Sequence, residues 1–143
     1  MAIESNNILT EDQADYFEEL INIAYGRAAG LLNDFTGEEV KLHIPKVKFQ
    51  VYSDFVKDVA DNLGDETIVS KQTFNGQISG ETMMVIDRTP AENMACLMDG
   101  TDSVTDQQIL SAVYEIGNII TTTSTKTLSD LAKVPLVFNA PNT

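Results

Sequence analysis

Two short stretches of the chain place a carboxylate and a carboxamide at one spacing. They are Glu19 and Asn22 in "DYFEELIN", residues 15–22, and Glu115 and Asn118 in "SAVYEIGN", residues 111–118. Asp15 stands four residues before the first Glu, and Ser111 four before the second. In a helix, positions i, i+4 and i+7 share one face. Each stretch would therefore show its Asp or Ser, its Glu and its Asn along one outer stripe. A carboxamide donates and accepts hydrogen bonds at once without changing protonation. Such a stripe is suited to holding a polar molecule in place, and it needs no general base.

The two stretches align at an offset of 96 residues, and the agreement runs beyond them. Leu20 meets Ile116, Ile23 meets Ile119, Leu32 meets Leu128 and Asp34 meets Asp130. Pro45 falls on Pro141, each Pro standing 23 positions after its Asn. Proline makes up only about 5% of residues, so the joint match is not an accident of composition. The chain reads as one domain, 1–143, with an internal repeat over about 10–50 and 106–143. A solvated face is the simplest account of one copy, but two copies with the same Glu-x-x-Asn favour a site.

The elements that must carry these residues follow from periodicity. Apolar residues recur at helical spacing at Phe17, Leu20, Ile21, Ala24, Ala28, Leu31, Leu32 and Phe35, with Thr10 as N-cap and Gly37 as C-cap. This predicts a helix over about 10–35. A second long helix is predicted from Thr105 through Leu131, carrying Ile109, Leu110, Val113, Ile116, Ile119, Ile120 and Leu128. Its stretch "TTTSTKT", 121–127, is a poor helix former and reads as a segment packed against another element. Residues 38–52 alternate as a strand, with Pro45 at an edge or bulge. Residues 53–64 fit a short helix or an ordered loop. "ETIVSKQTF" and "QISGETMMVID" read as two strands joined at the Asn-Gly of "FNGQ", 74–77. "TPAENMACLMDG", 89–100, reads as a short helix opened by Thr-Pro and closed by Gly100, and 134–142 as a closing strand. This order predicts an α+β fold with mostly antiparallel pairing.

Composition narrows the function. The formal net charge is −13 and the pI about 4.2, which disfavours nucleic acid and anionic membrane surfaces. Cys96 is the only cysteine and His43 the only histidine. An intrachain disulfide or a zinc set of Cys and His is therefore impossible, and we expect no metal site. Cys96 reads as a packed apolar group and His43 as a side chain on a sheet face. The N-terminal stretch lacks the basic and apolar regions of a signal peptide, and no apolar run approaches a membrane span. A cytoplasmic protein is expected.

The pattern Asp/Ser-x3-Glu-x2-Asn-x22-Pro resembles the signature of the CheC/CheX/FliY family of chemotaxis phosphatases. It occurs here as Asp15-Glu19-Asn22-Pro45 and as Ser111-Glu115-Asn118-Pro141. The resemblance runs from about residue 10 to the C-terminus, and "YEIGNI", 114–119, looks most like the family's motif helix. Two copies are similar to CheC, whereas CheX carries one. The resemblance implies an antiparallel sheet packed with two long motif helices related by a pseudo-two-fold. It also implies dephosphorylation of a phosphorylated CheY-type response regulator. Two departures stand out. Tyr25 and Arg27 are bulkier than the residues that usually follow the motif Asn. The chain also stops two residues past Pro141, where relatives continue into further strands, so an open strand edge and a homodimer or strand-mediated contact are expected.

On this reading the substrate is an aspartyl phosphate whose own Mg²⁺ and lysine neutralise charge, and the protein needs no cofactor of its own. What remains is placement of water. Asn22 and Asn118 would hold it in line, Glu19 and Glu115 would pair with the substrate's lysine, and Asp15 and Ser111 would tune or cap the contact. Pro45 and Pro141 would be structural. The alternative is a binding module that grips a response regulator, a flagellar switch or a CheD-like partner without turnover. An enzyme acting on a small acidic metabolite would need a basic pocket motif, which the sequence lacks.

Overall fold

The structure is a computed structural model and describes residues 9–39 and 47–143. Its elements run α1 (Glu11–Thr36), α2 (Tyr52–Asn62), β1 (Thr67–Gly76), β2 (Gly80–Asp87), α3 (Arg88–Asp99), α4 (Asp106–Ala132) and β3 (Leu136–Phe138). The α+β fold is as the sequence predicts. Both long helices open with the same device. Thr10 caps the Gln13 amide while the Gln13 side chain caps Thr10, and Thr105 and Gln108 repeat the arrangement. Two otherwise unsatisfied amides are thereby bonded at each start. Gly37 closes α1 with φ +70°, a backbone conformation that glycine adopts without strain.

The three strands form an antiparallel sheet in the order β2-β1-β3. Helix α4 lies on this sheet and also packs against α1 and α3, whereas α1 packs on α4. The first turns of α1 meet the last turns of α4 around an apolar cavity of about 490 Å³, lined by Phe17, Leu20, Phe74, Leu128 and Leu136 among others. The two long helices thus run antiparallel. One core cluster joins Ala91 and Ala95 of α3 to Ile109, Ala112 and Val113 of α4, with Ile68, Met84 and Ile86 from the sheet beneath. Complete burial of Ile109 and Val113 stabilises each by roughly 1.5–3 kcal/mol, and the alanines by less.

Several boundaries differ from expectation. The strand read over 38–52 falls partly on residues 40–46, which include His43 and Pro45 and lie outside the described residues. Residues 47–51 form no strand, and Tyr52 already begins α2. This segment is held by side chains instead. Phe49 sets its ring edge-on to Phe17 of α1 at 5.2 Å, and Lys48 and Gln50 both donate to Asp58 of α2. These donors hold the Asp58 carboxyl below its ordinary range.

The Asn-Gly pair does not make the hairpin turn. Asn75 and Gly76 have no positive φ and form no two-residue turn; they pair with Val137 and Leu136 of β3, while the β1–β2 ladder ends at Phe74 and Gly80 and the connection between those strands spans residues 75–79. Glycine is needed at 76 for proximity, because a Cβ there would come within 2.3 Å of the Pro135 carbonyl oxygen. Helix α3 begins at Arg88, one residue before the expected start, with Asp87 as its N-cap. Pro90 then sits third in the helix, where its missing N–H has no intrahelical acceptor to satisfy. The closing strand is shorter than 134–142. Val134 is retained by the end of α4, its N–H donating to the Ser129 carbonyl while Ser129 Oγ donates to the Val134 carbonyl. Beyond β3, the Asn139 N–H still donates to the Thr73 carbonyl, and a bridge between Lys71 and Asn142 follows. Leu31 and Phe35, read as part of the buried stripe of α1, are exposed.

Candidate functional site

Helix α1 buries Ala14, Leu20, Ala24, Ala28 and Leu32, the last four at i+4 spacing, and all five lie on one face of the helix. The opposite stripe carries Asp15, Glu19 and Asn22, and all three are exposed. The Asn22 side chain makes no hydrogen bond with the described residues. Tyr25 is half-buried and Arg27 exposed. Pro45 lies outside the described residues, so its relation to Asn22 is not among them.

Helix α4 presents its copy differently. Ser111 and Glu115 are exposed, while Asn118 is half-buried. Ser111 and Glu115 line an open hollow of about 410 Å³ together with Tyr114, Pro141 and Asn142. The Pro of the second motif, 23 residues after its Asn in sequence, is therefore brought beside the Glu. On the other side of the same two residues a second hollow, of about 330 Å³, is walled by Met98, Asp99 and Gln108. The stripe of Ser111 and Glu115 is thus a ridge between two depressions.

Asn118 is set into a polar network that the motif does not contain. Its Oδ1 accepts from Thr122 Oγ1 at 3.0 Å and from Gln72 Nε2 at 3.4 Å. Gln72 stands on β1, only 4% exposed. Its Nε2 also donates to the Asn139 carbonyl at 3.0 Å, and its Oε1 faces Thr121 Oγ1 at 2.9 Å and Thr122 Oγ1 at 3.1 Å. Thr121 Oγ1 also lies 2.6 Å from the Gly117 carbonyl. The Thr-rich segment is accordingly a packed one, with Thr121 and Thr127 buried. Helix and strand approach so closely here that a Cβ on Gly117 would lie 2.9 Å from Ser70 Oγ.

Reading the sequence alone missed Gln72, Thr122 and Asn139. A signal for Gln72 was present. Ser70 and Gln72 occupy alternate positions of β1 on the face that continues from Ile68, so two polar residues point toward a core. Buried polar groups are almost always hydrogen-bonded, which makes such a pair a sign of a network. The partner could not be read, since Asn118 is 46 residues away.

Among the described residues no helix is long and apolar enough to cross a membrane. The fold and its two motif helices define a class, an α+β domain with a duplicated Glu-x-x-Asn helix. No protein-family model matches the chain. The chain is 24% identical over 144 residues to the CheY-P phosphatase CheC of Bacillus subtilis (strain 168), covering 94% of this chain and 67% of that protein. Its structure is similar to that of Thermotoga maritima FliY, with a TM-score of 0.78 and 26% identity, over 94% of this chain and 69% of the other. A chemotaxis protein CheX from Desulfovibrio desulfuricans shares the fold, with a TM-score of 0.56 and 16% identity over 85% of this chain and 75% of that one. The chain therefore resembles the CheC/CheX/FliY family of chemotaxis proteins and is CheC-like in both sequence and fold.

Proposed function

We propose that this protein hydrolyses the aspartyl phosphate of a CheY-type response regulator, using the two Glu-x-x-Asn stripes as its sites. The observation that carries the reading is the meeting of Ser111, Glu115 and Pro141 around one hollow, with Asn118 one turn further along the helix. The similarity to a CheY-P phosphatase supports it. Glu19 or Glu115 pairs with the lysine beside the phosphoryl group and aligns the helix on the regulator. Asn22 or Asn118 holds a water in line with the scissile bond. The water oxygen bonds to phosphorus as the bond to the aspartyl oxygen breaks; the carboxylate leaves as the anion, and both water protons stay on the released phosphate. Mg²⁺ belongs to the substrate and neutralises charge there, so this chain has to supply only position. Asp15 and Ser111 border the contact, Pro141 shapes the rim of the second site, and Pro45 is the structural residue of the first motif by sequence. The domain is a single one built on the repeat over about 10–50 and 106–143, and it acts in the cytoplasm. The strand edge beside β3 is where a second copy of the chain would pair, and a CheD-like partner would compete for the motif face.

The test is release of phosphate from a phosphorylated CheY-type regulator in Mg²⁺, with and without this protein. Acceleration that disappears in the Asn22→Ala, Asn118→Ala double variant supports the reading. Binding of the regulator without any acceleration by the parent protein replaces it with the binding-module alternative.

A further inference from the structure

We infer that Gln72 is a positioning residue that fixes which end of the Asn118 amide faces the substrate; the inference rests on the phosphatase reading. The Asn139 carbonyl can only accept, so the group of Gln72 that meets it at 3.0 Å is the amino group. The second N–H of that amino group points at Asn118, at 3.4 Å, and there it requires an acceptor. The hydroxyl of Thr122, 3.0 Å from the same Asn118 atom, accommodates an acceptor too. Asn118 is thereby held with Oδ1 inward. Its Nδ2 makes no hydrogen bond with the described residues and is not fully buried, since Ser124 Oγ is the fully buried side-chain atom left without a partner among them.

The outward group of the second site is therefore a donor. It holds the attacking water by donating into one lone pair of the water oxygen, which leaves the other lone pair directed at phosphorus. A carbonyl in that place would instead accept a water proton and would orient the oxygen differently. Gln72 is itself oriented by the Asn139 carbonyl, and its Oε1 lies beside the hydroxyls of Thr121 and Thr122, whose two protons are shared among the Gly117 carbonyl, Gln72 Oε1 and Asn118 Oδ1. The chain of orientation thus runs from the C-terminal segment at Asn139, through β1, to the motif on α4. The first site has no such chain among the described residues, and its Asn22 amide turns freely.

The experiment uses the full chain carrying Asn22→Ala, so that only the second site is read. Gln72→Met keeps the volume and removes both amide groups; Thr122→Val removes one hydroxyl and is milder. In that background Gln72→Met should lower kcat for the phosphorylated regulator about tenfold with KM unchanged, and Thr122→Val should lower it a few-fold. With Asn118→Ala in place of Asn22→Ala, adding Gln72→Met should bring no further loss. In the free protein the Asn118 side-chain amide resonances should shift or broaden in Gln72→Met, while those of Asn22 stay in place. Unchanged kcat or an unmoved Asn118 resonance in the folded variants would overturn the inference. A parent protein without turnover, but with the Asn118 resonance displaced by Gln72→Met, would overturn the phosphatase reading and leave the orientation standing.

Discussion

The two motif helices carry one pattern in two environments. Helix α1 has α4 as its packing partner and keeps Glu19 and Asn22 in open solvent, with Ile23, Leu31 and Phe35 exposed as well. Helix α4 is enclosed between α1, α3 and the sheet. At the repeat offset, Leu20 and Ile116 are the pair buried on both helices; the other buried positions of α1 fall on exposed or half-buried ones of α4. Equal spacing therefore does not make equal sites. A polar side chain on an enclosed helix acquires partners and a fixed direction, whereas the same side chain on an outer helix keeps its freedom.

The sharpest way to break this comparison is to remove each Asn in turn. Losing a preorganised hydrogen-bonding group at a catalytic centre costs on the order of 2–4 kcal/mol at that site. Asn118→Ala should therefore remove most phosphate release, Asn22→Ala should leave most of it, and the double variant should lose nearly all. Equal losses from the two single variants would show that the Gln72 network confers no advantage. Charge reversal tests docking rather than chemistry. Glu19→Lys together with Glu115→Lys sets a cation against the regulator's lysine, and titration should detect no binding. If affinity survives, the Glu residues do not dock the helix.

Stability should divide along the same line. Ile116 is 1% exposed on the enclosed helix α4, while Leu20 is 9% exposed and borders the apolar cavity at the start of α1. Replacing such side chains by Ala costs about 2–5 kcal/mol, depending on how far the site can collapse. Ile116→Ala should fall at the upper end of that range in denaturant unfolding and Leu20→Ala at the lower. The smallest effect concerns glycine. A Cβ at Gly26 would meet nothing within 4 Å among the described residues, so Gly26→Ala should gain up to about 1 kcal/mol from helix propensity. Gly117→Ala gains the same propensity, but its Cβ would press on Ser70 at 2.9 Å. Overpacking of about 1–3 kcal/mol should make that variant melt below the parent.

Local chemistry and periodicity were enough to place the long helices, their Thr caps, Gly37, Gly100 and the β1–β2 pair, because each of those features is decided within a few residues. The exposure of Glu19 and Glu115 on one stripe followed from helical geometry alone. Sequence misread Asn75-Gly76 as a turn because closeness to Pro135, 59 residues on, cannot be seen locally. It also misread residues 47–51, whose partners Phe17 and Asp58 lie on two separate helices. The state of Asn118 belongs to the same kind of fact. Its type and spacing were written in the chain, but the direction of its amide depends on Gln72, 46 residues earlier, and on the Asn139 backbone, 21 residues later. Periodicity assigns a face to a residue; only the packing of α4 onto β1 and the C-terminal segment decides which atoms meet it there.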